Sequence, residues 1–257
     1  MEKKFEINDS KNSIKCKIYC NDPRNINSVI ISCHGFGGSR ENSSTKKIAS
    51  TFLEEYNDMA LITFDWPCHG EDVKQKLRLK DCNDYLDSVI KYIREVLHVE
   101  ELYLQATSFG GYLSLKYLSE HENPFKKVAL RCPAVNMYDV LTKNILTEED
   151  MEKIVKGKIA MTGFGRQIKV DKEFVEELAA NNICQRDFSN ISDSILIMQG
   201  TNDELVSYDV VQYFSEKNMI EFEPIEGADH RYTNPAKMRE CIDYMEIFYG
   251  ENMSKKK

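Results

Sequence analysis

Short apolar runs recur along this chain, and the sequence between successive runs is long enough for one helix. Val29–Cys33, Ala60–Phe64, Leu102–Ala106, Lys127–Arg131, Ile195–Gln199 and Ile220–Pro224 each read as buried strands. The intervening stretches have helical spacing. Asp81–Leu97 places Leu86, Val89, Ile90, Ile93 and Leu97 on one face, and further helices are expected over Thr45–Tyr56, Gly110–Ser119, Tyr208–Lys217 and Ala236–Tyr249. Strands apolar on both sides, alternating with amphipathic helices, call for an α/β fold: a mostly parallel central sheet with helices on both faces.

Two segments stand outside this alternation. Lys3–Ile7 and Ile14–Cys20 alternate polar and apolar residues, as in an antiparallel hairpin at a sheet edge. From about 136 to 188 the chain is polar and helical in pattern, with no strand expected. That segment reads as a small helical insertion over the carboxyl edge of the sheet, where ligands bind in open α/β folds. The 257 residues are read as a single domain, residues 1–257, carrying this insertion.

Charge and cysteine usage exclude several functions. A net charge of -8 repels phosphate backbones, so nucleic acid is not an expected partner. The apolar runs are strand-sized, so no membrane insertion is expected, and no apolar stretch follows Lys3 and Lys4 as a secretory leader would require. The eight cysteines form no Cys-x-x-Cys pair, which fits free thiols in a reducing cytoplasm. His34, His69, His98, His121 and His230 are scattered, so no metal cluster is expected, and no Gly-x-Gly-x-x-Gly joins a strand to a helix.

The chemistry concentrates at strand ends. Ala106-Thr107-Ser108-Phe109-Gly110-Gly111 lies between an expected strand and an expected helix, the context of a nucleophile elbow. In such an elbow the serine occupies a strained turn, and the residues two before and two after it must be small. A helix-capping serine is the plainer alternative. A serine hydroxyl needs a base to take its proton, and the base needs a carboxylate to orient it. His230, in Gly227-Ala228-Asp229-His230, follows the last strand. Asp203, in Gln199-Gly200-Thr201-Asn202-Asp203, follows the strand before it, with Glu204 and Asp229 as rival acids. His121 belongs to a helix end, His69 to a loop-bracing turn, and Cys68 has no dedicated base. Backbone N–H groups of Phe109, just after the serine, and of Phe36, in His34-Gly35-Phe36-Gly37-Gly38, are the expected oxyanion donors.

These segments, with Asp65–Gly70 and Cys132-Pro133-Ala134, resemble the serine hydrolases of the α/β-hydrolase fold. Within them the chain is similar to the serine aminopeptidase-like and monoacylglycerol lipase-like groups, and most to bacterial cinnamoyl or feruloyl esterases. Ala106 and Cys68 stand where glycine is usual in those proteins. The resemblance implies a cofactor-free carboxylic ester hydrolase acting on a small-molecule ester, aromatic or short-chain, through an acyl-enzyme. It implies that the insertion is a lid over the acyl pocket, with His34, Tyr138, Asp139, Met161 and Phe164 as substrate-facing candidates. A peptidase or amidase with the same triad, and a non-catalytic binding module, are the alternatives. A homodimer is compatible with the sequence.

Overall fold

The structure, a computed structural model, describes residues 1–8, 12–163 and 167–250. Its strands are β1 (Glu2–Asn8), β2 (Ser13–Cys20), β3 (Ser28–Cys33), β4 (Met59–Phe64), β5 (Glu101–Thr107), β6 (Lys127–Arg131), β7 (Ala160–Thr162), β8 (Ile168–Val170), β9 (Ile195–Gly200) and β10 (Glu221–Ile225). Eight of them form one sheet in the order β1-β2-β4-β3-β5-β6-β9-β10. The β1–β2 hairpin joins β4 antiparallel, and all pairings from β4 through β10 are parallel.

The helices are α1 (Ser43–Glu55), α2 (Leu79–Glu95), α3 (Phe109–Glu120), α4 (Met137–Asp139), α5 (Glu148–Val155), α6 (Lys172–Ala180), α7 (Tyr208–Asn218) and α8 (Pro235–Gly250). Strand side chains alternate between the two faces of the sheet, so each central strand feeds two cores. Ile30, Leu61 and Tyr103 pack with Ile48 and Phe52 of α1 and with Met245 and Tyr249 of α8. Ile31, Leu104 and Ile197 pack with Val89 of α2, Leu115 of α3 and Phe214 of α7. Each such side chain, wholly buried, contributes about 1.5–3 kcal/mol. This two-sided burial is why the strands read as unbroken apolar runs.

The segment between β6 and β9 departs from the all-helical expectation. It holds α4, a π-helical turn over Val140–Ile145, α5, the antiparallel hairpin β7–β8 with Ala160 opposite Val170, and α6. α6 is fastened to the scaffold at its first turn. Asp171 accepts from the Phe174 N–H at 3.0 Å as the helix cap and holds Arg78 with two bonds of 3.0 and 2.7 Å. Glu177, one turn further on, accepts the Leu79 N–H at 2.9 Å and so satisfies a donor left open at the start of α2.

Both sheet edges are polar. β1 carries Glu2, Lys3, Lys4 and Glu6, and β10 carries Glu221, Glu223 and Pro224. Among the described residues no helix is long and apolar enough to cross a membrane.

Candidate active site

The turn from β5 into α3 forces Ser108 to φ 54° and ψ -117°, a conformation that L-residues rarely adopt. Strain of that kind costs about 1–3 kcal/mol and persists only when neighbours over-determine it. Here the Ser108 N–H donates to the Arg131 carbonyl at 3.0 Å, and its own carbonyl accepts from Tyr112 at 3.0 Å and Ala134 at 3.1 Å. Gly110 allows α3 to approach β3. A Cβ there would lie 2.6 Å from the His34 carbonyl oxygen and 2.7 Å from that of Cys33. Ala106, two residues before the serine, is wholly buried with its methyl accommodated. The serine makes no side-chain cap to α3, so helix capping does not account for it.

Instead, the Ser108 hydroxyl meets a ring from the loop after β10. His230 Nε2 lies 2.9 Å from Ser108 Oγ, and His230 Nδ1 lies 3.0 and 2.8 Å from the two Asp203 oxygens. A carboxylate can only accept, so Nδ1 carries a proton, and in the tautomer with no proton on Nε2 that nitrogen faces the hydroxyl as an acceptor. Asp203 is held from four directions. Oδ1 accepts from the Leu205 and Val206 N–H groups at 2.9 and 2.8 Å, and Oδ2 accepts from Gln199 at 3.0 Å as well as from the ring. Burial pushes this carboxyl up, but the hydrogen bond and charge of His230, then the Val206 N–H and the Cys132 thiol, outweigh it and hold it below the usual carboxylate range.

The rival acids have other work. Glu204 accepts the His230 backbone N–H at 3.2 Å and so fixes the loop rather than the ring. Asp229 binds Thr233, through its N–H at 2.8 Å and its hydroxyl at 2.6 Å. Cys132, Asp203 and His230 bring a thiol, a carboxylate and an imidazole nitrogen within 4.8 Å of one another, a donor set that a metal ion could use. Burial holds that thiol well above its ordinary value, which keeps it protonated and able to donate to Asp203.

The loop after β3 closes over the serine from the other side. A Cβ on Gly35 would stand 3.2 Å from Ser108 Cβ. Phe109, first residue of α3, has no intrahelical acceptor for its N–H. Phe36 and Phe109 pack edge to face at 5.6 Å, and the His69 ring stacks on Phe109 at 6.0 Å. A buried charge network braces the loop. Asp65 accepts the Arg40 N–H at 2.7 Å and the Glu71 N–H at 2.9 Å and is paired with the Arg40 guanidinium, which also reaches Glu71 at 2.7 Å.

Several expected substrate-facing residues lie elsewhere. His34 is buried, with Nδ1 donating to the Gly35 carbonyl at 2.8 Å and Nε2 accepting the Trp66 N–H at 3.3 Å. Both ring nitrogens are spent on the loop, and burial lowers the ring's basicity, so His34 is a brace and not a substrate contact. Tyr138 and Asp139 line a separate cavity of about 290 Å³ with Leu178 and Asn181, and Asp139 is paired with Lys143. Met161 sits on β7, 46 % exposed, and does not line the cleft of Ser108. Phe164 lies outside the described residues. From the insertion, Val140 and Ile145 face the cleft, joined by Leu205. These two are five residues apart across a π-helical turn, whose i→i+5 bonding gives a spacing outside the i, i+3, i+4 pattern of an α-helix.

The cleft measures about 900 Å³ and is lined by Ser108, His230 and the Gly35–Gly38 loop. Compared with known proteins, the chain matches the alpha/beta hydrolase fold family model over residues 28–164. A monoglyceride lipase homolog of monkeypox virus is 24% identical over 204 residues, covering 69% of this chain and 74% of that protein. Among solved structures, Est1E from Butyrivibrio proteoclasticus, with ferulic acid bound, superposes with a TM-score of 0.75 at 21% identity over 96% of this chain and 99% of that one. A hydrolase from Agrobacterium vitis S4 superposes at 0.73 and 15% identity, over 96% and 98% of the two chains.

Proposed function

The chain belongs to the α/β-hydrolase family, and from that premise we propose that it is a serine esterase in which Ser108 is the nucleophile, His230 the base and Asp203 the orienting acid. The observation that carries this reading is the unbroken relay from Oγ through the imidazole to a buried carboxylate. His230 takes the Ser108 proton on Nε2 as Oγ attacks the ester carbonyl. The carbonyl oxygen gains a negative charge, which the Phe36 and Phe109 N–H groups stabilise. The C–O bond to the alcohol breaks, His230 returns its proton to the leaving oxygen, and an acyl-enzyme remains. Water, deprotonated by the same ring, then releases the acid and restores Ser108. The sequence needs no cofactor.

The whole chain serves as one catalytic domain, with residues 136–188 as its lid. Val140 and Ile145 give the lid an apolar side toward the cleft. That lining, with ferulic acid in a relative of the same fold and a lipase homolog among the sequence relatives, supports aromatic or short acyl esters as substrates.

The test is hydrolysis of nitrophenyl esters of varied chain length, methyl ferulate and aminoacyl anilides, with Ser108→Ala as control. Ester turnover lost in the variant, and labelling of wild type by a fluorophosphonate probe, is the expected result. Full activity in the variant, or no labelling of wild type, refutes it. Faster cleavage of anilides than of esters would reassign the enzyme as a peptidase or amidase.

A further inference from the structure

Arg131 ends β6 and is 4 % exposed. Its guanidinium lies 5.1 Å over the Tyr232 ring, and among the described residues Nη1 reaches the Arg231 carbonyl at 3.4 Å and the Met238 thioether at 3.5 Å. The contact to the carbonyl is at the long limit for a hydrogen bond, and a thioether sulfur is a weak acceptor. Nε is buried without any partner, and no carboxylate pairs with this side chain among the described residues. A buried cation without a counter-charge is costly to keep. Arg40, also buried and also with an unpartnered Nε, is by contrast paired with the carboxylates of Asp65 and Glu71.

Arg131 also lines the cleft that holds Ser108. It stands opposite Thr107 in the sheet, and its carbonyl accepts the Ser108 N–H at 3.0 Å. The Arg131 backbone therefore belongs to the strand beside the nucleophile, and its guanidinium lies against Arg231, Tyr232 and Met238, which line the same cleft. Two further cations, Lys47 and Arg231, line the cleft, against one carboxylate among the described residues, Glu204, which accepts the His230 N–H. Ser43 and Ser44, the first turn of α1, open into it too, and a helix N-terminus favours negative charge. This cationic lining is found in a chain of net charge -8.

We propose that the cleft contains an anion subsite centred on Arg131, so that the preferred ester carries a carboxylate a few bonds from its scissile carbonyl. The inference rests on the esterase reading above and narrows its substrate class. A planar guanidinium suits a carboxylate, which can accept two of its N–H groups. The anion can belong to either half of the ester.

The experiment compares matched charged and neutral esters. Nitrophenyl hemiglutarate against its methyl ester places the anion on the acyl half, and acetyl glycolate against its methyl ester places it on the alcohol half. Wild type is expected to prefer the charged member in one arm by about ten- to hundredfold in kcat/KM, the range of one charge-assisted hydrogen bond. Arg131→Met is expected to abolish that preference while still cleaving the neutral esters, and Arg131→Lys to retain part of it. Glutarate is expected to inhibit neutral-ester cleavage by wild type competitively, a readout that does not depend on the variants folding. Equal rates for charged and neutral members in both arms, or a preference that survives in Arg131→Met, overturns the subsite. Cleavage of neutral esters with no anion preference removes this inference alone, whereas no ester cleavage and no fluorophosphonate labelling removes the esterase reading beneath it.

Discussion

Replacing Asp203 by Asn should silence the site without unfolding it, and the geometry says how. Oδ1 of Asp203 accepts two backbone N–H groups, from Leu205 and Val206, at 2.9 and 2.8 Å. An asparagine must therefore put its carbonyl oxygen there, which turns its NH2 to the Oδ2 position, 2.8 Å from His230 Nδ1. Two donors cannot face each other, so the imidazole exchanges tautomer: Nδ1 becomes the acceptor and Nε2 carries the proton. Nε2–H then points at Ser108 Oγ, 2.9 Å away, and can no longer take its proton. Loss of a positioned base costs about 10²–10⁴ in rate, or about 2.7–5.5 kcal/mol at 1.36 kcal/mol per tenfold. Both backbone donors keep their acceptor, and Gln199, which donates to Oδ2 at 3.0 Å, can turn its unpartnered Oε1 to the new NH2 at the cost of its 3.2 Å bond to the Val206 carbonyl, so the melting temperature should fall by no more than about 4 °C, equivalent to about 1 kcal/mol in a chain of this size. The assay is kcat/KM on nitrophenyl acetate with thermal unfolding alongside. Glu204→Gln serves as the control: its amide oxygen can still accept the His230 N–H, so activity should stay within about fivefold, the loss of well under one neutral hydrogen bond. A kcat/KM for Asp203→Asn within tenfold of wild type, or a larger loss in Glu204→Gln, would refute the reasoning.

Gly110→Ala places a methyl within 2.7 Å of two backbone oxygens of the β3 loop, so it should cost about 1–3 kcal/mol and lower kcat/KM about a hundredfold as the elbow shifts, both read from one purified variant. Asp65→Ala strips a buried guanidinium of its partner, a loss of about 3–5 kcal/mol, and should lower the melting temperature by about 6–20 °C in calorimetry. Asp203 has a carboxyl pKa below its unfolded value. Its stabilising contribution should be complete above about pH 4 and disappear as pH falls through the lower folded value. The stability gap between wild type and Asp203→Asn should accordingly narrow in acid, and a gap that widens there would contradict the sign.

Much of the scaffold was legible because its strands are buried on both faces. Runs such as Val29–Cys33 and Ala60–Phe64 have no solvent side to blur them, and Ile30 and Ile31 fill opposite cores. The insertion was less legible. β7 and β8 have three residues each, too few for alternation to stand out, and their pairing is non-local. The convergence of Ser108, His230 and Asp203 was legible because each lies in the loop or turn after a strand, which fixes its place at one edge of the sheet. Tyr138, Asp139 and Met161 could not be placed that way, since all three belong to the insertion and not to a turn directly after a strand of the main sheet, and the structure keeps all three out of the cleft. His34 misled through its type: an imidazole beside a serine invites a functional role, yet its bonds to Gly35 and Trp66 are internal. The cleft-facing side of Arg131 is invisible in sequence, where it reads as the polar end of a strand.

The polar margins of the sheet limit how the molecule can meet others. A sheet edge invites another strand, because its backbone donors and acceptors lie open in a row. On β10, Pro224 has no N–H to offer, and Glu221 and Glu223 would bring like charges together if two copies approached edge to edge. On β1, the alternation of Glu2, Lys3, Lys4 and Glu6 keeps charge along the opposite margin. Two chains therefore gain little by extending one sheet into the next. The same margins protect the folded chain against growing, strand by strand, into fibrils.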